Sequence, residues 1–298
     1  MSAKYRHDEK RRDLGMINTF LRYKTKSLSS PAIEHKDIQN ANKVLFALFT
    51  RYGDTIINLV VIQEFVEQYP SKDFLILCPK QMKPYCDEFA PKVKCIGVNK
   101  RNYLEMIRLD SYLKKWNPDL GFNPWSFGAE SNFFLTYSKK YQFYSNFKKP
   151  EKINHYEVVR KYLSLPEKTW KIHDLKMELS YKQVLICPES TDNERSISKD
   201  EVDLIINKFK SNYGSPLFTI ASVSLSYFHS NCDSFIFKKT KKSSKDFIKL
   251  VKDSHLIICA DSAPLHIANA LKKNVIAVFN STIPEIVINS DSKVSLKL

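Results

Sequence analysis

The strongest constraint on the fold lies near the end of the chain. An apolar run, Leu256-Ile257-Ile258-Cys259-Ala260, meets the polar turn Asp261-Ser262-Ala263-Pro264, and a short helical pattern, Leu265-His266-Ile267-Ala268-Asn269-Ala270, follows. A second apolar run then begins, Val275-Ile276-Ala277-Val278-Phe279. Strand, polar turn, helix and strand in this order form a βαβ unit, and the apolar runs do not alternate because a parallel strand is covered on both faces. The polar turn falls at the carboxyl end of a parallel strand, the edge at which open α/β sheets bind ligands. Pro264 suits the first turn of the helix, where its missing N–H costs nothing. An anion can rest on the N–H groups exposed there, with Asp261, Ser262 and His266 around it. An ordinary capped loop is the alternative reading of the same residues.

The same grammar occurs twice along the 298 residues. The first half opens with Val44–Phe49, a turn Thr50-Arg51-Tyr52-Gly53-Asp54, and a helix from Thr55 to Gln68. Strands at 74–78 and 93–98 and helices at 82–89 and 103–116 follow. Residues 117–147 are aromatic and aperiodic and receive no assignment, and 148–183 read as a connector with some helix. The second half opens at Val184-Leu185-Ile186-Cys187, with a helix at 199–210, strands at 217–221 and 235–237 and a helix at 245–252 before the terminal unit. The expected class is therefore α/β, with a doubly wound sheet in each half. The expected domains are a basic extension over 1–40, a first domain over 41–180 and a second over 181–298, facing each other across a cleft.

Composition narrows the function classes. No apolar run reaches the roughly 18 residues of a membrane span, and the first 20 residues are charged throughout, unlike a secretory signal. The six cysteines form no C-x-x-C pair and read as reduced core thiols of a cytoplasmic protein. The net charge of +15 calls for an anionic partner. Residues 1–30 carry eight Lys/Arg against three acids, and Leu14, Ile17, Phe20 and Leu21 recur there at helical spacing. That is a basic amphipathic helix, suited to the anionic inner face of a membrane or to the protein's own surface. Nucleic acid is not an expected partner, because no helix-turn-helix, RRM or zinc motif accompanies the charge.

Four pieces recur in a meaningful order: Tyr52-Gly53-Asp54-Thr55, the Cys187-Pro188 turn reaching Arg195, Asp261 through His266, and Phe279-Asn280-Ser281-Thr282-Ile283-Pro284-Glu285. Together, over about residues 43–288, they resemble glycosyltransferase family 9, the lipopolysaccharide heptosyltransferases. The resemblance implies a GT-B fold of two Rossmann-like domains and an inverting sugar transfer without a metal. It implies a nucleotide diphosphate sugar as donor, ADP-heptose among the candidates, and a lipid-linked saccharide as acceptor, with no further cofactor. Asp54, after Gly53, matches the catalytic base. Arg195 stands where the family has a diphosphate-binding lysine, and Asp261-Ser262-Ala263-Pro264-Leu265-His266 matches the segment that cradles phosphates and ribose.

The chemistry of these residues fits such a reaction. A carboxylate at a strand end can take the acceptor's proton, although aspartate is also a favoured helix cap. Arg195 offers a fork of donors to a diphosphate. Ser190, Thr191, Ser262, Ala263, His266 and Thr282 complete the expected donor side; Arg51, Gly53, Lys100 and Arg101 form the expected acceptor side. No Asp-x-Asp triplet and no His/Cys cluster with ligand spacing occurs, so no metal is expected. Two departures stand out. Ala263 replaces a family glycine, and Ala221-Ser222-Val223-Ser224-Leu225 lacks the glutamate that the family places near the nucleoside. They support a second reading, a non-catalytic GT-B relative that binds nucleotide or glycan as a subunit or scaffold.

Overall fold

A computed structural model of the chain describes residues 32–99, 102–124, 129–143, 153–168, 181–222, 227, 233–237, 243–288 and 293–295. The expected helix over residues 1–30 lies outside them, as do Lys100 and Arg101. The described residues fall into two compact units. One takes in the chain up to Thr50, with Tyr69–Lys80 and Val93–Lys148; the other takes in Arg51–Gln68, Gln81–Lys92 and the chain from Lys149 onward. This division differs from the linear boundaries 41–180 and 181–298, because two helices early in the sequence pack with the second unit.

The first unit holds a parallel sheet of β1 (Lys43–Ala47), β2 (Asp73–Pro79), β3 (Lys94–Val98), β4 (Leu120–Phe122) and β5 (Lys140–Gln142), in the order β3-β2-β1-β4-β5. Every pair runs parallel. Helices α1 (His35–Asn40), α4 (Tyr103–Trp116) and α5 (Ala129–Leu135) belong to this unit. Leu109 and Leu113 of α4 join Leu45, Leu75 and Leu77 of the sheet in one apolar core. On the other face of β1, Phe46 lies between Phe74 and Phe122, with ring centroids 6.4 and 5.9 Å away. Gly121 in β4 is required by close approach: a Cβ there would meet Ser138 Oγ at 2.5 Å. Residues 117–147, which carry no legible period, supply β4, α5 and β5. Strands of three residues are too short to express an alternation.

The second unit holds β6 (Gln183–Cys187), β7 (Leu217–Ser222), β8 (Ser234–Phe237), β9 (Leu256–Ala260), β10 (Asn274–Val278) and β11 (Lys293–Ser295). Read along the sheet the order is β8-β7-β6-β9-β10-β11, again all parallel. Numbered within the unit, this is 3-2-1-4-5-6, the order of a dinucleotide-binding doubly wound sheet. The strand order reverses between β6 and β9, the switch point at whose carboxyl ends doubly wound sheets bind ligands. The packing helices are α2 (Tyr52–Gln68), α3 (Lys83–Phe89), α6 (His155–Tyr162), α7 (Lys199–Tyr213), α8 (Ser244–Asp253), α9 (Ala263–Ala270) and the short α10 (Pro284–Val287). Capping boxes begin α7 at Ser198 with Glu201 and α8 at Ser243 with Asp246. Each pairs two N–H groups that would otherwise lack partners. Ile186, Ile258, Ile206, Phe218 and Ile220 form the centre of the core.

Helix α6 falls in the segment read as a connector with some helix, and β11 lies outside the expected elements. Helix α2 begins three residues earlier than the sequence suggests, at Tyr52. Asp54 is therefore inside its first turn, and the reading of Asp54 as the residue capping this helix from outside is corrected. No helix among the described residues is long and apolar enough to cross a membrane.

Candidate functional site

The crevice at the carboxyl ends of β6 and β9 is organised around Asp261, the residue directly after β9. Its side chain is 4% exposed, and its Oδ2 accepts hydrogen bonds from Thr282 Oγ1 at 2.7 Å and from Arg195 Nη1 at 3.2 Å. Arg195 ends a single turn of 3-10 helix, Asn193–Arg195, in the loop after β6. From the start of that loop, Ser190 Oγ donates to the backbone oxygen of Asp261 at 3.1 Å, and Ser190 N–H donates to Ser196 Oγ at 3.0 Å. Asn280 Nδ2 donates to the Ser196 carbonyl at 3.2 Å. Residues 188–196, 261 and 280–282, distant in sequence, are thus knitted into one wall. A buried carboxylate is tolerated here because a guanidinium and a hydroxyl both face it. The pairing occupies only part of the five-donor fork of Arg195.

Helix α9 starts immediately beyond Asp261. Ser262 is its N-cap in extended backbone, but its hydroxyl does not cap the helix; it lies 3.4 Å from the Ala260 carbonyl. Pro264 occupies the first turn. Pro264 has no N–H and the Leu265 N–H donates to the Ser262 carbonyl at 3.0 Å, so of the opening N–H groups that of Ala263 is the one an anion could take.

The first turn of α2 packs against this same point. A Cβ built on Gly53 would sit 3.1 Å from His266 Cδ2, 3.6 Å from His266 Nε2 and 4.0 Å from Ala263 Cα. Absence of a side chain at Gly53 is what lets the backbone just before Asp54 lie on the His266 ring. Asp54 is half-buried at the third position of α2, where the helix dipole favours a carboxylate. His266 is buried, and its Nδ1 is 3.3 Å from Tyr156 Oη. Burial, reinforced by the nearby Arg195 charge and opposed by Asp261, lowers the imidazole pKa to about 4. The ring is neutral at neutral pH. Burial raises the Tyr156 hydroxyl, so it stays protonated beside the imidazole.

Several residues that hold this arrangement carry no motif. Asn154 Oδ1 accepts from Tyr156 N–H at 2.9 Å, starting α6, while its Nδ2 donates to the carbonyls of Glu285 and Ile288 at 2.6 and 2.8 Å. It ties α6 to the segment that delivers Thr282. Arg160 of α6 pairs with Glu64 of α2 and with Glu157, and Lys168 Nζ lies 2.5 Å from Glu64. This charge cluster fixes α6 on α2, and hence Tyr156 against His266. Glu189, in the loop after β6, accepts from Ser222 Oγ at the end of β7 at 2.8 Å. A carboxylate therefore stands at the end of β7 although residues 221–225 contain none. Only a spatial pairing supplies it, and no sequence signal would have found it.

Of the expected site residues, Gly53, His266 and Ala263 are brought together, with Asp54 adjoining. Arg195, Asp261, Ser190 and Thr282 form the second cluster, joined to the first through Ser262 and α9. Thr191 and Arg51 are exposed on neighbouring loops. Lys100 and Arg101 lie outside the described residues. Cys187 and Cys259 are buried thiols whose pKa values are raised, to about 12 for Cys187, by burial; neither is a nucleophile. Cys78 and Cys95 of the first unit bring their sulfurs to 3.5 Å without a disulfide between them.

The Asp261-to-Glu285 wall lies in the stretch on which comparison is decisive. Residues 240–291 match the family model of glycosyltransferase family 9 (heptosyltransferase). This C-terminal segment is similar to glycosyltransferase family 9. No curated protein sequence matches the chain. Among solved structures, E. coli ADP-heptose lps heptosyltransferase II superposes with a TM-score of 0.66 at 13% identity, over 86% of this chain and 90% of that one. E. coli heptosyltransferase WaaC, solved with ADP-2-deoxy-2-fluoro heptose, gives 0.58 at 11% identity over 85% and 92%. A family 9 glycosyl transferase from Veillonella parvula gives 0.63 at 10% identity over 90% and 87%. The two parallel sheets are those of a GT-B fold, and the family resemblance expected from the motifs is borne out.

Proposed function

We propose that this chain is an inverting, metal-independent glycosyltransferase. It moves a heptose or related sugar from a nucleotide diphosphate sugar, ADP-heptose in the first instance, to a lipid-linked saccharide of the lipopolysaccharide or lipooligosaccharide core. The observation that carries the reading is the packing of Gly53-Asp54 on the start of α9 and His266, beside the wall of Arg195, Asp261 and Thr282. In this reading Asp54 takes the proton of the acceptor hydroxyl as its oxygen attacks the anomeric carbon. The bond from that carbon to the diphosphate oxygen breaks, and the nucleoside diphosphate leaves with the electron pair. Arg195 and the Ala263 N–H at the start of α9 receive the negative charge that develops on the leaving group.

The remaining residues take supporting roles. Ser190, Thr191, Ser262, Ala263 and Thr282 line the donor side. Arg51, Gly53, Lys100 and Arg101 are assigned to acceptor binding. Neutral His266, held by Tyr156, fixes the backbone before Asp54. Glu189, at the edge where a doubly wound sheet holds the sugar of a nucleotide, accepts from a ribose hydroxyl. The protein works in the cytoplasm at the inner face of the membrane, where its positive charge meets anionic lipid. Nucleic acid has no part in this reading.

The test is Asp54→Ala, followed by sugar transfer and by calorimetric binding of ADP. Loss of a general base costs ~10²–10⁴-fold in rate, so transfer should fall by at least that lower figure while ADP affinity stays within about threefold. Undiminished transfer would overturn the assignment of the base. Absence of transfer and retention of ADP binding in the unmodified protein would favour a binding-only relative.

A further inference from the structure

We propose that the outward face of α4 docks the protein on an anionic lipid surface. The helix buries Leu109 and Leu113 in the core of the first unit. Its opposite face is not uniformly polar, as a solvated helix face would be. Tyr103 is 70% exposed, Leu104 64% and Ile107 45%. Large apolar side chains exposed singly are ordinary, but three within the first five residues of one helix form a patch. Steps of about 100° per residue place Arg108, Ser111, Lys114 and Lys115 on the same outward arc, one to three turns further along. These four are exposed as well. Of the cations, Lys114 is paired with Asp110 at 2.7 Å. Glu105, the remaining acid on α4, is engaged by its N-cap, where Asn102 Nδ2 donates to Glu105 Oε1 at 3.1 Å.

One face thus carries apolar side chains at one end and cationic stems at the other, and Lys100-Arg101 precede it in the sequence. A bilayer interface accommodates both: rings and aliphatic chains enter the acyl boundary while lysine and arginine extend to the headgroups. The net charge selects among occupants. A second copy would bring +15 against +15, whereas an anionic membrane attracts the whole chain. Nucleic acid would leave Leu104 and Ile107 unused. The inference deepens the lipid-linked acceptor of the proposed function and rests on it only for its purpose, since docking holds the enzyme where such an acceptor resides.

The experiment is sedimentation of the full-length protein with vesicles of phosphatidylcholine, with and without phosphatidylglycerol. Leu104→Ser/Ile107→Ser and Arg108→Glu/Lys115→Glu are compared with the unmodified protein, and melting temperature and ADP binding are followed in parallel. The unmodified protein should prefer the phosphatidylglycerol vesicles. Each double variant should bind them at least ~10-fold more weakly, the equivalent of ~1.4 kcal/mol, with melting and ADP binding unchanged. Equal vesicle binding by both variants, or none by the unmodified protein, overturns the proposal. So does self-association of the unmodified protein that the serine variant abolishes. Loss of ADP binding by the unmodified protein, with lipid binding intact, would instead count against the transferase reading alone.

Discussion

Replacing Gly53 with alanine isolates the contact on which the site depends. Two effects oppose each other. Alanine in place of glycine favours a helix by roughly 0.5–1 kcal/mol, at the low end in a first turn. Against this, the new Cβ would stand 3.1 Å from His266 Cδ2, inside the roughly 3.5–4.0 Å of a comfortable carbon contact. Relief requires the imidazole to retreat by a few tenths of an ångström. His266 is 6% exposed and bonded to Tyr156 Oη, so retreat strains that bond or moves α9. Overpacking of a tight interior costs about 1–3 kcal/mol. The net expectation is a destabilisation of about 0.5–2 kcal/mol, a few degrees in melting temperature. The decisive assay is a double-mutant cycle with His266→Ala, read by urea unfolding. In that background the space is open, and Gly53→Ala should be neutral or stabilising, giving a coupling of about 1–2 kcal/mol. A Gly53→Ala protein more stable than the unmodified one, or equal effects in both backgrounds, would refute the argument.

Three further outcomes follow from the same geometry. Glu189→Ala should weaken calorimetric binding of ADP by roughly tenfold, the worth of a hydrogen bond to a charged group, and should leave 2′-deoxy-ADP unaffected if the 2′-hydroxyl is the donor. Arg160→Met should cost ~1–3 kcal/mol in urea unfolding, because buried Glu157 would lose its cation while Glu64 keeps Lys168. His266 titrates at about 4 in the folded protein against 6.5 in its ordinary state. Its burial as a neutral ring therefore contributes fully above pH 6.5 and is lost as pH falls from 6.5 towards 4. The difference amounts to at most ~3 kcal/mol, and His266→Asn should flatten the stability profile across that range.

The sequence alone determined the class of fold and the places where ligands meet it. Continuous apolar runs such as Leu256–Ala260 and Val184–Cys187 can only be strands covered on both faces, and the polar turns after them must lie at the ligand-binding edge of a parallel sheet. That argument is local, and it located Asp261 and the Gly53-Asp54 turn; Arg195 came from the family resemblance. Short or aperiodic pieces escaped it: three-residue strands in 117–147 have no measurable period, and α6 sat among charges that its burial later explained. Only the tertiary structure decided which distant residues touch. Strand order brought β6 beside β9 and so put Arg195 on Asp261. Helix packing set Gly53 on His266 and Tyr156 behind it, and the pairing of β6 with β7 gave Ser222 the carboxylate of Glu189. Chain pattern reports which face of an element is apolar, whereas the identity of the partner across that face depends on how whole elements stack.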